Sequence, residues 1–585
     1  MRDTWSLDVV YQGFEDKKFK EDLDELDTRI QKLNQFAENL TREQEKETIK
    51  EGLECLEKFS TLYTQMMIFC ELKQSVNTKD ADSVSYMGVL SQKGNKTKAA
   101  ETRFAKYVAE TKNLDTYIGE DAFLKNYEYL LHNMAADNKY LLSEEVEEAL
   151  AKMDLSGGQA WSNLQGDLTS SVEADYRGKK ITLSEVRNLA YSEDKTVRKD
   201  AYEAELACYD KIKDAVAYSL NSIKMQDISE CEMRGFKSPL SKTLYYARMK
   251  EETLQALLSA MEEYMPNFWH YLRLKAKKLG YENGLPWYEL FAPLGKSNKK
   301  YTIEEAKNYL LHVFSNFSPD MAAIMERAFD EAWIDFYPKK GKVGGAFCEA
   351  LNNQKEFRVL TNFSGSFSDL VTLAHELGHG YHDFMVHDNR PLNMDYSMPV
   401  AETASTFNEN VITNYAIDHA VDEEEKLALL EGQLSDVTQI MCDIYSRFLF
   451  ESEVVEKRKN QFLFADELGE IMLNAQKKAY GDGLDVNTLH PYMWICKVHY
   501  YSADLGFYNY PYAFGGLFAR GLYAKYKQEG SAFIEKYNKM LQSTPLMSVE
   551  DAAKICDIDL TSKEFWLMSL HSYDETIKEF ERLTK

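Results

Sequence analysis

Residues 372–382 of this chain read Thr372-Leu-Ala-His375-Glu376-Leu-Gly-His379-Gly-Tyr-His382. Two histidines four residues apart on a helix lie on one face, one turn above each other, and that spacing lets both imidazoles reach one tetrahedral metal ion. Glu376 lies about 100° round the helix from the first histidine, close enough to a water on the metal to take its proton. The stretch therefore predicts a helix that carries two zinc ligands and a general base.

His382 is a third histidine on the same predicted helix, seven residues past His375. It lies two turns away from His375, too far to share one metal ion once His379 occupies the turn between them. We therefore interpret His382 as a packing residue or as a partner of a metal-binding side chain, and we expect the third ligand elsewhere in the chain.

The third ligand is expected downstream, because a catalytic zinc takes three protein ligands and keeps its fourth position open. The stretch 386–395, rich in Asp, Asn and Pro, predicts a loop that reverses the chain. After it, a proline opens a helix in the run MPVAETASTFNE at 398–409. Antiparallel packing of the two helices would place Glu402 opposite the histidines and let Glu409 bond a liganding imidazole. Glu402 taken alone would also suit a helix N-terminus.

Together these motifs resemble the oligoendopeptidase F branch of the thimet oligopeptidase family, a group of HExxH zinc metallopeptidases. The resemblance extends over nearly the whole chain. Besides HELGH, it is carried by Trp5-Ser-Leu, Trp287-Tyr-Glu-Leu-Phe-Ala-Pro-Leu, Gly341-Lys-Val-Gly-Gly-Ala-Phe-Cys, Ser366-Phe-Ser-Asp-Leu-Val-Thr-Leu-Ala, Ala401-Glu-Thr-Ala-Ser-Thr-Phe-Asn-Glu and Phe507-Tyr-Asn-Tyr-Pro-Tyr-Ala-Phe-Gly.

The resemblance implies a mainly α-helical, two-lobed oligopeptidase with a deep substrate channel. Such a channel would admit short unstructured peptides and exclude folded proteins. The resemblance also implies one zinc ion per chain as the cofactor, with His375, His379 and Glu402 as its ligands, Glu376 as the catalytic base and Glu409 behind a liganding histidine.

A second group of candidate residues lies in Val498-His499-Tyr500-Tyr501 and Tyr508-Asn-Tyr510-Pro-Tyr512. Considered alone, five tyrosines and one histidine in so short a stretch indicate aromatic packing under a loop. The resemblance instead implies that His499, Tyr508 and Tyr510 face the zinc from the opposite wall and stabilise the oxyanion during catalysis.

The segment before the HELGH motif has a strand-like pattern, in Gly344-Gly-Ala-Phe-Cys-Glu-Ala-Leu and Phe357-Arg-Val-Leu-Thr-Asn-Phe. We therefore predict a small β-sheet beside the zinc helix. In the family, and in other HExxH enzymes, an edge strand binds the extended substrate through main-chain hydrogen bonds. We assign that role to Gly344, Gly345, Ala346 and Phe347, since glycines permit close backbone approach; an ordinary turn is the alternative.

Organisation along the chain is dominated by amphipathic helices, because apolar residues recur at spacings of three and four, as in residues 15–110. A short hairpin with Gly178 in its turn is predicted at Tyr176-Arg-Gly-Lys-Lys-Ile-Thr-Leu. We place a boundary near residue 195. It divides an N-terminal helical region at 1–195, the channel wall or lid, from the catalytic region at 196–585.

The composition limits which binding partners and which cell compartment are expected for this protein. The net charge of −26 opposes binding to nucleic acid or an anionic membrane, since phosphate recognition needs a basic surface. The N-terminus has no apolar run of the signal-peptide kind. Eight cysteines, with no C-x-x-C pair, indicate reduced thiols and hence a cytoplasmic protein. The sequence indicates no oligomeric state.

The sequence thus predicts a zinc-dependent oligoendopeptidase that cuts internal bonds of short unstructured peptides. One alternative is a chain-end peptidase of the same clan, either a dipeptidyl carboxypeptidase or a metallocarboxypeptidase. A more distant alternative is a peptide binder that keeps zinc without turnover. The presence of Glu376 argues against the binder, because binding alone has no use for a general base.

Overall fold

The structure, a computed structural model, describes residues 2–295 and 299–585 and is mainly α-helical, which confirms the predicted fold class. Its α-helices are Lys17–Glu38, Glu45–Val76, Ala81–Asn95, Lys98–Ala109, Leu114–Glu120, Ala122–Asn126, Glu128–Asp137, Glu144–Asp154, Gly158–Ser171, Leu183–Asn188, Lys195–Tyr209, Lys213–Arg234, Pro239–Tyr246, Glu251–Leu279, Ile303–Phe317, Pro319–Asp330, Phe367–Val386, Met398–Ala401, Thr403–Asp418, Glu423–Thr438, Ile444–Arg458, Ala465–Tyr480, Tyr510–Glu529, Ala532–Ser543, Val549–Lys554, Lys563–His571 and Asp574–Thr584. Single helical turns occur at Asn138–Tyr140, Leu189–Tyr191, Trp287–Glu289, Asn352–Gln354, Gln439–Asp443, Gly481–Gly483, Val486–Thr488 and Val498–Tyr501.

The predicted hairpin is present as the antiparallel strands β1 (Glu173–Tyr176) and β2 (Lys179–Thr182). Its two turn residues are Arg177, with φ 48°, and Gly178, with φ 78°. Two consecutive positive φ values match the right-handed twist of the flanking strands, which is why glycine is favoured in such a turn.

The predicted sheet before the HELGH motif is also present. It has three strands in the order β3-β5-β4, comprising β3 (Ile334–Asp335), β4 (Phe347–Leu351) and β5 (Glu356–Leu360). The central strand β5 pairs parallel to β3 and antiparallel to β4, so β4 lies at an edge of the sheet.

The prediction of where that edge strand begins was wrong by three residues. The strand begins at Phe347, and Gly344, Gly345 and Ala346 form the bend before it. Gly345 has φ 77°, a left-handed conformation that interrupts an extended strand. The Asn362 Nδ2 group donates a hydrogen bond of 2.8 Å to the Gly345 carbonyl and holds the bend.

By their internal contacts, the residues form two compact units, each built from three separate stretches of chain. The first unit contains residues 1–139, 298–412 and 529–556, and the second contains 140–297, 413–528 and 557–585. The division near residue 195 concerns the roles of the two regions, and it stays a prediction.

The HELGH helix, Phe367–Val386, lies in the first unit, where two glycines let neighbouring elements approach it closely. A Cβ on Gly380 would lie 2.5 Å from the Phe357 ring of β5, so the sheet packs directly against this helix. A Cβ on Gly378 would lie 2.6 Å from the Ala404 carbonyl oxygen. Gly378 therefore allows the next helix to cross at the level of the two histidines.

The second unit contains a core of buried residues that includes Trp494, Tyr500 and Tyr501, on both sides of His499. The Tyr501 hydroxyl donates a hydrogen bond of 2.9 Å to the Trp494 carbonyl. This packing holds the short helical turn Val498–Tyr501, which carries His499.

Two further sequence features can be compared with the structure. All eight cysteines lie within the described residues, and all are free. In the same part of the chain, none of the helices combines the length and the apolar character that crossing a bilayer requires.

Candidate active site

The HELGH helix begins with a reciprocal cap. The Ser366 hydroxyl accepts a hydrogen bond of 3.1 Å from the Asp369 amide, and the Asp369 carboxylate accepts one of 2.8 Å from the Ser366 amide. Two backbone donors at the helix start are thereby satisfied, which fixes where the helix begins. The cap therefore also fixes the rotation of the face that carries the histidines.

His375 and His379 point their Nε2 atoms toward each other on that face, 3.2 Å apart. The Glu402 Oε2 atom lies 3.3 Å from each of the two nitrogens. Three ligand atoms thus form a nearly equilateral triangle. Among the residues that the structure describes, these side chains group at metal-ligand spacing.

Glu402 occupies a helix junction, whereas the sequence predicted the first turn of a continuous helix. It follows the one-turn helix Met398–Ala401 and precedes Thr403–Asp418, with φ −88° and ψ 7°. This sparsely allowed backbone region is one in which many active-site residues lie. The Ser405 hydroxyl donates a hydrogen bond of 2.9 Å to Glu402 Oε2 and so orients the carboxylate. The Asn408 side-chain amide donates a hydrogen bond of 3.0 Å to the Ala374 carbonyl, which links the helix Thr403–Asp418 to the HELGH helix.

Glu409 lies behind His375, as the helix spacing predicted. Its Oε1 atom is 2.6 Å from His375 Nδ1. A proton on Nδ1 would be donated to this carboxylate and would leave the Nε2 lone pair free for a metal ion. The contact therefore selects the imidazole tautomer that a ligand requires.

The electrostatics of the site favour a bound cation. Burial lowers the pKa of His375, but hydrogen bonds with Glu402 and Glu409 outweigh it and raise that pKa to about 10. Burial raises the pKa of Glu402, yet hydrogen bonds with His375 and His379 hold it well below its ordinary value. Three carboxylates, counting Glu376, thus surround two imidazoles and attract positive charge.

Glu376 is buried next to this group, with 6% of its surface exposed. Burial raises the pKa of its carboxyl, and the neighbouring His375 and His379 oppose that shift. A carboxylate beside the ligand triangle, shielded from bulk water, is in a suitable place to exchange a proton with a molecule bound there.

The ligand triangle fits a zinc ion. A tetrahedral zinc with bonds of about 2.0–2.1 Å has neighbouring ligands roughly 3.3–3.4 Å apart, and the observed separations are 3.2, 3.3 and 3.3 Å. Two imidazole nitrogens and one carboxylate oxygen are donors that catalytic zinc takes, with the fourth position left for water or substrate.

His382, predicted either to pack or to support a metal-binding side chain, is fully buried. Its ring stacks on Tyr396 at 3.9 Å, and its Nε2 atom lies 2.8 Å from the Thr544 hydroxyl. Burial lowers the pKa of His382 to about 3, so the ring is neutral near pH 7.

The second group of candidate residues forms an aromatic cluster in the second unit, made of His499, Tyr508 and Tyr512 and called here the His499 cluster. Ring centroids are 4.7 Å apart for His499 and Tyr508, 6.0 Å for His499 and Tyr512, and 5.4 Å for the two tyrosines. Burial and the nearby Arg447 and Lys497 lower the pKa of His499, which favours the neutral imidazole.

Of the predicted pair of tyrosines, the structure brings only Tyr508 to this cluster. Tyr510 is fully buried, and its hydroxyl has no hydrogen-bond partner among the described residues. Tyr512, which the sequence did not single out, lies in the cluster and is 36% exposed. Helical spacing did not indicate it, because Tyr508 lies two residues before the helix Tyr510–Glu529.

The fold and the candidate ligands define a class of protein, mainly α-helical with an HExxH motif and three side chains that could hold a metal ion. The chain belongs to peptidase family M3, whose model matches residues 188–572, and the model "Oligopeptidase F" matches residues 109–173.

Curated relatives cover nearly the whole chain. Oligopeptidase PepF of Bacillus subtilis is 26% identical over 99% of this chain and 87% of its own length. The oligoendopeptidase F homolog of Lactococcus lactis is 24% identical over 100% of this chain and 97% of its own length.

Solved structures share the fold. One from Chlamydophila abortus matches with a TM-score of 0.85 at 19% identity, covering 99% of this chain and 98% of that one. Oligoendopeptidase-F from Enterococcus faecium matches with a TM-score of 0.70 at 18% identity, covering 97% of this chain and 99% of its own. The match to the family M3 model confirms the predicted family, and with it a peptidase.

Proposed function

We propose that this protein is a zinc-dependent oligoendopeptidase that hydrolyses internal bonds of short, unstructured peptides. One observation carries the proposal: the triangle of His375, His379 and Glu402 lies beside the buried Glu376, in a chain of peptidase family M3. Relatives named oligopeptidase or oligoendopeptidase F support short peptides as the substrate class.

The proposed chemistry divides among these side chains. When bound, zinc supplies a Lewis acid that polarises the scissile carbonyl and lowers the pKa of water towards about 7. Glu376 takes the proton of the attacking water and passes it to the leaving amine. Because Glu376 is buried, bulk water has little access to the proton that it carries. Glu409 keeps His375 in one tautomer and one orientation through their 2.6 Å contact.

We assign stabilisation of the oxyanion to His499, Tyr508 and Tyr510, as the family resemblance implies. The contact between the rings of His499 and Tyr508 supports the assignment of these two residues. Tyr512, whose ring also lies near His499, is a further phenol in the same cluster. A phenol or imidazole donor aimed at the oxyanion acts only as charge develops there, so it accelerates the chemical step.

Substrate binding is assigned to the main chain of Gly344, Gly345, Ala346 and Phe347. The edge position of β4 supports this assignment, because an edge strand can accept a further extended chain. Gly344 and Gly345 are exposed and carry no side chain that would keep a peptide away.

Removing the metal tests the proposal. Chelator treatment is expected to abolish turnover of an internally quenched peptide, and zinc titration to restore it up to one zinc ion per chain. His379→Gln and His382→Gln form a matched pair, since each removes one histidine from the same helix. We expect His379→Gln to lose zinc and activity, and His382→Gln to keep one zinc ion per chain. Turnover that survives complete zinc removal would contradict the proposal.

A further inference from the structure

A buried ion pair lies behind the segment that carries Tyr508, in the second unit. Lys224, on helix Lys213–Arg234, donates a hydrogen bond of 2.6 Å to Glu451 Oε1, on helix Ile444–Arg458. Each side chain is only 1% exposed. Stability alone does not account for such a pair, because replacing a buried ion pair by apolar groups is often neutral or stabilising.

The Glu451 carboxylate also holds the residues on both sides of Tyr508. Its Oε1 atom accepts a hydrogen bond of 3.0 Å from the Phe507 amide, and its Oε2 atom accepts one of 2.7 Å from the Asn509 Nδ2 group. Asn509 in turn accepts a hydrogen bond of 2.7 Å from the Tyr510 amide, at the start of the next helix. One buried carboxylate thus fixes the backbone before Tyr508 and the side chain after it.

The backbone at this point is strained. Phe507 has φ 55°, a left-handed conformation that is rare for a bulky residue. Such a conformation persists only where the surroundings enforce it. The Thr243 hydroxyl adds a third restraint, a hydrogen bond of 2.9 Å to the Gly506 carbonyl. The turn therefore depends on its restraints to present Tyr508 to His499 at 4.7 Å.

We propose that Glu451, held and charge-compensated by Lys224, is a positioning residue that fixes the Tyr508 hydroxyl for catalysis. The proposal rests on the proposed function, because it acts through the role assigned to Tyr508. The Glu451 carboxylate accepts hydrogen bonds from the Lys224 ammonium, the Phe507 amide and the Asn509 side-chain amide together, so a single side chain holds the turn on both sides of Tyr508.

A second buried pair in the same unit provides a matched control. Lys275 is fully buried, Glu431 is 7% exposed, and the two form a hydrogen bond. Their other hydrogen bonds involve Leu290 and Tyr271, not the turn at 506–510. Glu431→Gln therefore removes the same charge from a similar environment without touching Tyr508.

The kinetic test compares Glu451→Gln with Glu431→Gln. A glutamine offers one acceptor where Glu451 offers two, so one of the bonds to Phe507 and Asn509 must be lost. We expect kcat of Glu451→Gln to fall on the order of 10²-fold, the loss that a displacement of about 1 Å causes. KM should stay within about threefold of the wild-type value. The lost interaction is the one between the Tyr508 hydroxyl and the oxyanion, which is made only in the transition state and does not contribute to substrate binding. Glu431→Gln should lower Tm while leaving kcat and KM unchanged.

A double-variant comparison distinguishes a loss of Tyr508 positioning from a general disruption of the fold. In a Tyr508→Phe background the hydroxyl is already absent, so Glu451→Gln should reduce kcat little further. Lys224→Met combined with Glu451→Gln leaves no unpaired buried charge and covers the case in which the single variant does not fold. Equal kcat losses in the Glu451 and Glu431 variants, or a full additional loss in the Tyr508→Phe background, would overturn the proposal.

An activity-independent measurement distinguishes failure of this proposal from failure of the proposed function. With 3-fluorotyrosine at position 508, we expect one narrow ¹⁹F resonance in the otherwise unchanged protein and in Glu431→Gln. Glu451→Gln should shift and broaden it, because the ring then samples several orientations. An unchanged resonance in Glu451→Gln would refute positioning by Glu451. Absence of peptide turnover would refute the proposed function and leave this readout intact.

Discussion

Glu376→Gln is expected to keep one zinc ion per chain while kcat falls by about 10²–10⁴-fold, the range that a positioned general base contributes. The amide has nearly the shape of the carboxylate, so the fold and the ligand triangle should survive. It cannot take a proton from water, so the chemical step should fail. Steady-state kinetics on a quenched peptide, with metal analysis of the same sample, measures both quantities.

Glu402→Gln is the matched control for that experiment. It makes the same atomic replacement 26 residues further along the chain, at an oxygen 3.3 Å from the Nε2 atoms of His375 and His379. We expect this variant to bind zinc more weakly and to recover activity when zinc is raised, which Glu376→Gln should not do. Near-normal kcat in Glu376→Gln would mean that another group is the base.

Tyr508→Phe is expected to lower kcat by about 10²–10³-fold, the loss seen when one donor to an oxyanion is removed. Only the hydroxyl is lost, so zinc content and Tm should change little and the loss would report one hydrogen bond. His499→Ala should also lower kcat, with some cost in stability, because its ring packs on Tyr508.

Three other tyrosine-to-phenylalanine variants make the comparison specific. Tyr501→Phe removes a structural hydrogen bond to Trp494 and should lower Tm without changing kcat. Tyr510→Phe and Tyr512→Phe test which second phenol contributes, and the contacts of Tyr512 favour Tyr512 over the buried Tyr510. Wild-type kcat in the Tyr508, Tyr510 and Tyr512 variants would place the oxyanion donor elsewhere.

The candidate metal ligands could be predicted because much of the information that brings them together is local. His375 and His379 are one helical turn apart, and this spacing alone brings their Nε2 atoms together, at 3.2 Å. The prediction of Glu402 as the third ligand also required a loop and an antiparallel helix. The turn residues at 386–395 indicated the loop, and Pro399 indicated the start of the helix. The break in the helix at Glu402 was missed, because propensities do not register a single junction residue.

The features that the sequence did not reveal depend on distant contacts. Lys224 and Glu451 are 227 residues apart, and no periodic pattern relates a lysine on one helix to a glutamate on another. The sequence did not single out Tyr512, because the start of the helix Tyr510–Glu529 sets which tyrosines lie near Tyr508, and helix starts are uncertain by a residue or two. The two compact units are likewise built from discontinuous stretches, which composition does not indicate.

Zinc-dependent cleavage inside short peptides can be tested by mass spectrometry of the products from a peptide mixture that also contains one tightly folded protein domain, with and without chelator. The peptides should be roughly 6–20 residues long, a length sufficient for an extended strand on each side of the bond. We predict cuts at internal bonds, products of varied length from both ends, an intact folded domain, and no cleavage with chelator. Products of one fixed length from a single chain end, or cleavage that persists with chelator, would show that the protein is not a zinc-dependent oligoendopeptidase.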